Sequence, residues 1–86
     1  MNIFHLHEDP KICAEYHCDK HVVKMILETG QMLSTAYQRH CGIDEQLYKP
    51  AYPKHPMTIW VGDSIENYKY ALMLGTELGK QYTKRY

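Results

Sequence analysis

The sequence lacks any hydrophobic run that approaches the roughly 20 apolar residues of a membrane-spanning helix. Its N-terminal residues contain no apolar signal-peptide core, and its three cysteines cannot all pair within one molecule. An excess of charge of either sign is also lacking, because ten basic and ten acidic residues give a formal net charge of +0. We therefore expect a cytoplasmic protein with no membrane partner, in which any grip on nucleic acid comes from a local patch.

Aromatic residues other than tyrosine are scarce: the chain has one Trp and one Phe against eight Tyr. A tyrosine ring has an apolar body and a polar tip, which favours half-solvated packing or a lined surface over a dry core. The 86 residues, 44% hydrophobic and 23% charged, predict one folded domain over residues 1–86. A chain this small buries little apolar area, which makes a homodimer a reasonable expectation.

Residues 2–7 mix apolar and polar side chains and predict a short strand or an extended arm. Asp9 and Pro10 then provide an N-cap and a first helical residue. The pattern predicts one helix over residues 10–39, which Gly30 weakens without necessarily breaking. In the arm, three apolar side chains are expected to dock inward: Ile3, Phe4 and Leu6.

Residues 41–55 contain prolines and predict a loop. Apolar residues at three- and four-residue steps then predict a second helix over residues 56–84, with its weak point at Gly62 and Asp63. The expected fold class is all-α: an antiparallel hairpin of two long helices, with the N-terminal arm packed across it. A kink at Gly30 or Gly62 instead gives a small helical bundle.

At about 100° per residue, the first helix divides into two arcs. The predicted buried arc contains Ile12, Val22, Val23, Ile26, Leu33 and Tyr37. The opposite arc gathers Cys13, His17, Lys20, His21, Lys24, Glu28, Gln31 and Thr35. This stripe is unusual for a solvated helix face, which seldom carries two histidines and a cysteine.

Three hypotheses compete for the stripe. A catalytic or ligand-binding face uses Lys20 and Lys24 to hold phosphate. In this hypothesis His17 or His21 is the acid or base, and Glu28 orients a histidine or a lysine. A simple solvated face, with a Lys24–Glu28 pair, is the second hypothesis.

The third hypothesis is a zinc site. Cys13, His17 and His21 lie one turn apart, but three consecutive turns of a straight helix are too long for all three to reach one ion. At most two would bind, and the set would be completed by a distant ligand from among His5, His7, Cys41 and His55. Cys18 with His21 is a further possible pair.

The C-terminal residues combine cations with tyrosines. Lys84 and Arg85 lie between Tyr82 and Tyr86, a composition that suits phosphate contacts and base stacking. The same cations are also ordinary at a helix C-terminus, where they interact favourably with the dipole. His55 is either an exposed helix cap or a further ligand-binding residue of the same site as the stripe.

Three strings in the chain resemble those of a known family: Tyr-His-Cys-Asp-Lys-His at residues 16–21, His55-Pro56 with Trp60, and the sequence of residues 82–86. They look like the motifs of a family of short uncharacterised proteins encoded by tailed phages and large DNA viruses. The resemblance covers nearly the whole chain. It implies a viral protein in the cytoplasm of the infected cell.

A more remote resemblance is to the pyrimidine-dimer DNA glycosylases, which are small and helical and carry their catalytic acid on the first helix. It implies that the α-amino group of Met1, or of Asn2 once Met1 is removed, attacks the sugar of damaged DNA. The Arg-Glu pair of that family falls on residues 17–18 here, where the chain has His and Cys. Asp19 or Glu28 is then left to supply the acid.

The leading hypothesis is a viral protein that acts on nucleic acid or a nucleotide, in a DNA-glycosylase-like manner, through the His/Lys/Glu face of its first helix. The first alternative is a non-enzymatic module that binds a host protein or a signalling nucleotide. The second is a zinc-stabilised structural or DNA-binding protein. Composition and spacing do not identify the ligand, and they leave open whether the protein is an enzyme.

Overall fold

The computed structural model describes residues 2–52 and 54–86. In that part of the chain it contains four α-helices and no strand: α1 Pro10–Glu15, α2 Asp19–Cys41, α3 Pro56–Asp63 and α4 Ile65–Arg85. The expected all-α class is confirmed, in its small-bundle form. No helix in these two ranges is both long enough and apolar enough to cross a membrane.

The prediction of one helix over residues 10–39 is wrong, because the chain bends between α1 and α2. Cys18 is extended, with φ −70° and ψ 162°, and makes no side-chain capping bond. At the break, the Arg85 guanidinium donates to the carbonyls of Glu15 and His17 at 3.2 and 2.8 Å. In a continuous helix the His17 carbonyl would accept from a backbone N–H four residues later. A residue from the far end of the chain thus competes with the local helical pattern.

The second long helix is also interrupted. Ser64 is extended, and its Oγ accepts from the backbone N–H of Asn67 at 3.1 Å, which makes it the N-cap of α4. The break adjoins the weak point predicted at Gly62 and Asp63. Gly30, in contrast, lies inside an unbroken α2.

Helix α4 runs antiparallel to α2. The position of a Cβ on Gly75 would lie 3.3 Å from Thr29 Cγ2, while Arg85 reaches Asp19 at the start of α2. Helix α3 packs on the C-terminal part of α2, where His40 Nε2 lies 3.1 Å from the carbonyl oxygen of Gly62. The buried apolar core includes Val22, Met25, Met32, Ala36, Val61, Ala71, Leu74 and Leu78.

The predicted buried arc needs correction. Val23 and Tyr37 are 48% and 45% exposed, whereas Cys13, His17 and Thr35, predicted on the polar stripe, are buried. The bend after α1 ends the angular register that connected residues 13 and 17 to the rest of the helix. Thr35 is covered by the loop, whose backbone at residue 51 donates to Thr35 Oγ1 at 3.0 Å.

The N-terminal arm is extended and packs across α1 and α2. Ile3 is buried and Phe4 half-buried, as expected, but Leu6 is 48% exposed and does not dock inward. Two side chains hold the arm by its carbonyls: Cys13 Sγ donates to Phe4 O at 3.1 Å, and Tyr70 Oη donates to His7 O at 2.7 Å. Because these bonds use backbone acceptors, the arm needs no strand partner.

Candidate functional site at the junction of α1 and α2

His17 lies in the bend between α1 and α2, and its side chain is buried, with the residue only 3% exposed. Its Nδ1 lies 2.7 Å from the carbonyl oxygen of Cys13. A carbonyl only accepts, so Nδ1 carries the hydrogen and Nε2 of the neutral ring is an acceptor. Nε2 is buried and has no hydrogen-bond partner among the residues that the structure describes.

Burial is the main reason why the pKa of His17 lies below its ordinary value of 6.5. The hydrogen bond to the Cys13 carbonyl opposes this shift, while the positive charges of His21 and Arg85 add to it. His17 is therefore a neutral imidazole at physiological pH, with one unused acceptor.

The arm contributes an aromatic ring to the junction. Phe4 stacks on the imidazole of His21, with ring centroids 4.5 Å apart and planes inclined by 26°. The same ring lies 6.0 Å from His17, in a tilted arrangement. Phe4 thus lies against both histidines of the junction, a contact that sequence reasoning missed. The apolar pattern of the arm predicted docking but not the partner.

The charged residues of the stripe lie farther along α2. Lys20 and Lys24 are exposed, and Glu28 is half-buried. At about 100° per residue, His21, Lys24 and Glu28 project within roughly 60° of one another, while Lys20 lies farther round the helix. The structure therefore keeps His21, Lys24 and Glu28 on one side of α2, next to the arm.

Arg85 is the residue of the basic tail that reaches the junction. Its Nη1 donates to His17 O and to Asp19 Oδ1, at 2.8 and 3.0 Å, and its Nη2 donates to Glu15 O at 3.2 Å. These bonds tie the end of α4 to the start of α2. Lys84, its neighbour, is exposed and stays available for an anion.

His55 is the N-cap of α3, where its Nδ1 accepts from the backbone N–H of Met57 at 3.2 Å. No hydrogen bond or ring contact within the described ranges joins His55 to the junction. Its ligand-binding role remains a prediction, while its capping role is visible.

The described residues contain no group of three or more His, Cys, Asp or Glu side chains that could hold a metal ion. Cys13 Sγ is bonded to the Phe4 carbonyl, and Cys18 and Cys41 are exposed. The structure therefore offers no support for the zinc hypothesis. The α-amino group of Met1, the nucleophile implied by the glycosylase resemblance, lies outside the described residues.

Two surface clefts that sequence reasoning missed lie at the other end of α2. Their volumes are about 400 and 530 Å³, and both are lined by Tyr37 and Tyr68. The surplus of tyrosine was the available signal, but composition does not show which rings meet. Neither cleft contains a residue of the predicted stripe.

Comparisons with protein-family models, with curated proteins and with solved structures gave no match to this chain.

Proposed function

We propose that the protein binds a nucleic acid or a nucleotide at the junction of α1 and α2 and acts on it with His17 as the acid or base. The observation that carries this proposal is the buried, unpartnered acceptor at His17 Nε2. A buried acceptor without a donor costs about 1–3 kcal/mol, so proteins retain few of them. Because Nε2 is buried, a substrate hydroxyl or amine would satisfy it once the residues that cover His17 move aside. A neutral imidazole is suited to accept that proton.

Phosphate binding is assigned to Lys20 and Lys24. Both side chains are exposed in the first turns of α2, where the helix dipole also favours an anion. Phe4, half-buried and stacked on His21, adds an aromatic surface of the kind on which nucleobases stack. The site thus combines cations, an aromatic ring and a titratable group.

Between the two acids considered for a glycosylase-like reaction, the geometry favours Glu28. The Asp19 carboxylate accepts from Arg85 and is 72% exposed, so its role is in the ion pair. Glu28 is half-buried on the side of α2 that carries His21. In this form of the proposal, Glu28 handles the proton at the sugar while the lysines hold the backbone.

Binding is tested by fluorescence anisotropy with a labelled single-stranded oligonucleotide and its duplex, at several salt concentrations. We expect Lys24→Ala to weaken binding to both and to reduce the salt slope by about 1, as loss of one phosphate contact predicts. The matched control is Lys69→Ala, which removes the same charge from an exposed site near the start of α4. Equal losses for the two variants would show that the binding is not located at the junction.

Chemistry is tested separately, with borohydride trapping on duplexes that contain an abasic site or a pyrimidine dimer. A covalent adduct that forms with the wild type and is lost in Glu28→Gln supports the glycosylase form. For the wider proposal, His17→Asn keeps a side-chain amide for the Cys13 carbonyl but removes the Nε2 acceptor. Binding and turnover that are unchanged in this folded variant would refute the assignment of His17.

A further inference from the structure

A cleft of about 400 Å³ lies between the C-terminal half of α2, the following loop and α4. Three tyrosine rings line it, from Tyr37 on α2, Tyr48 in the loop and Tyr68 on α4. The acidic residue Asp44 also lines this cleft, and Leu33 and Leu47 add apolar residues to the lining. No lysine, arginine or histidine is found among the described lining residues.

A buried amide holds the loop side of this cleft in place. Gln38, only 4% exposed, donates from Nε2 to the Tyr48 carbonyl at 2.6 Å and accepts at Oε1 from the backbone N–H of Asp44 at 3.1 Å. The Asp44 carboxylate is fixed in turn, since its Oδ1 accepts from the backbone N–H of Gln46 at 2.9 Å. The backbone at Asp44 and the backbone at Tyr48 are thus held by the same side chain.

The absence of a side chain at Gly30 brings the Tyr48 ring close to α2. A Cβ at this position would lie 3.4 Å from Tyr48 Cε2. On the opposite wall, burial raises the pKa of Tyr68, and the nearby Tyr37 and Cys41 add to the effect. Tyr68 is therefore a neutral phenol. The face of a tyrosine ring carries the negative part of its π system, which can contact a positive ligand.

The three tyrosines and Asp44 of this cleft all favour a positively charged ligand. Aromatic faces attract cations, most strongly those that lose little hydration, and the carboxylate adds a full negative charge. A phosphate would meet repulsion from Asp44 and no compensating cation from the lining residues. We propose that Tyr37, Tyr48, Tyr68 and Asp44 form an aromatic cage that binds a quaternary or methylated ammonium group. This site is independent of the function proposed at the junction.

The wild-type protein provides the first test, by calorimetric titration at constant ionic strength. Choline and 3,3-dimethylbutan-1-ol have nearly the same shape, but only choline is charged. We expect choline to bind about tenfold more tightly, because the cage recognises charge as well as volume. Equal affinity for the two, no binding of choline, or preferential binding of guanosine through Asp44 would each overturn the proposal.

Variants locate the binding. Asp44→Asn and Tyr37→Leu should each weaken choline binding about fivefold or more, because each removes one attractive group from the cage. The matched control is Tyr82→Leu, since Tyr82 is 45% exposed, like Tyr37, but lies on α4 outside this cleft. Circular dichroism checks that each variant folds. If the control weakens binding as much as Tyr37→Leu does, choline binds elsewhere and the cage is wrong.

Discussion

The two ends of α2 differ in the contacts that they make with the rest of the chain. At its start, α2 is packed against the arm, α1 and the end of α4. The side chains of Cys13, Tyr70 and Arg85 donate hydrogen bonds to backbone carbonyls there. At its other end, tyrosines line two surface clefts, and the loop after α2 lines one of them. The first end is rich in titratable groups and the second in aromatic rings.

This difference shows that reactive side chains and cavity volume need not coincide in a small domain. The junction presents Lys20, Lys24 and the half-buried His21 on a surface outside both clefts, with His17 buried beneath it. Such a surface suits a large ligand that lies across it. The tyrosine end offers a recess, which suits a small ligand that enters it. The site proposed at the junction and the proposed aromatic cage are therefore compatible, because they lie at opposite ends of α2.

The largest effect is expected from Arg85→Ala, which opens the closed end. The variant loses the donors to two backbone carbonyls and to the Asp19 carboxylate. We expect the free energy of unfolding to fall by about 2 kcal/mol, allowing for partial solvent screening. Arg85→Lys should recover little, since an ammonium cannot reproduce the fork of the guanidinium. Urea denaturation measures both.

Lys84→Ala is the control for that prediction, because Lys84 is the adjacent cation and is exposed. Its effect should stay within about 0.5 kcal/mol. Hydrogen exchange adds a local measurement. Relative to the wild type, Arg85→Ala should accelerate amide exchange more in α1 than in α3. Uniform acceleration over the whole chain would contradict the view that Arg85 acts at the junction.

The pH dependence of stability is the next effect in size. The pKa of His17 is lowered in the folded state, so the unfolded chain binds more protons as the pH falls below 6.5. The contribution of His17 to stability is therefore complete above that pH and declines as the pH falls towards the folded-state pKa. His17→Asn should flatten the stability profile in this window. Parallel profiles for the variant and the wild type would show that the buried imidazole is not the titrating group.

The sequence predicted the elements of this fold better than their ends. Helical periodicity, the Asp9–Pro10 start and the proline-containing loop are local signals. The start is confirmed, and so is the loop in its described residues, whereas each of the two long helices predicted from periodicity is interrupted. The break at residues 16–18 was not predictable in the same way, because the carbonyl that it frees at His17 bonds to Arg85, a residue at the far end of the chain. The break at Ser64 had a local signal, a serine in capping position, which the apolar periodicity concealed.

The candidate site shows the same division. The angular pattern singled out His17 and His21, but it placed His17 on an exposed stripe, and the structure buries it. Phe4 joins the two rings through tertiary packing, which no spacing along the chain encodes. The cleft lined by Tyr37, Tyr48 and Tyr68 depends on three separate elements and on Gln38, a residue that a sequence pattern treats as surface.

The smallest effects come from two glycines in helices, one towards each end of the molecule. A Cβ on Gly79, in the half of α4 that leads to Arg85, would have no neighbour within 4 Å, whereas one on Gly30 would lie 3.4 Å from the Tyr48 ring. Alanine gains about 1 kcal/mol over glycine in a helix interior, and Gly79→Ala should show that gain in full. Gly30→Ala should gain less, because the methyl group pushes on a ring that Gln38 holds through the loop backbone. Chemical denaturation of both variants measures the difference in stability. Equal gains in stability would mean that the Tyr48 ring moves aside at no cost and is not held in place as the cage requires.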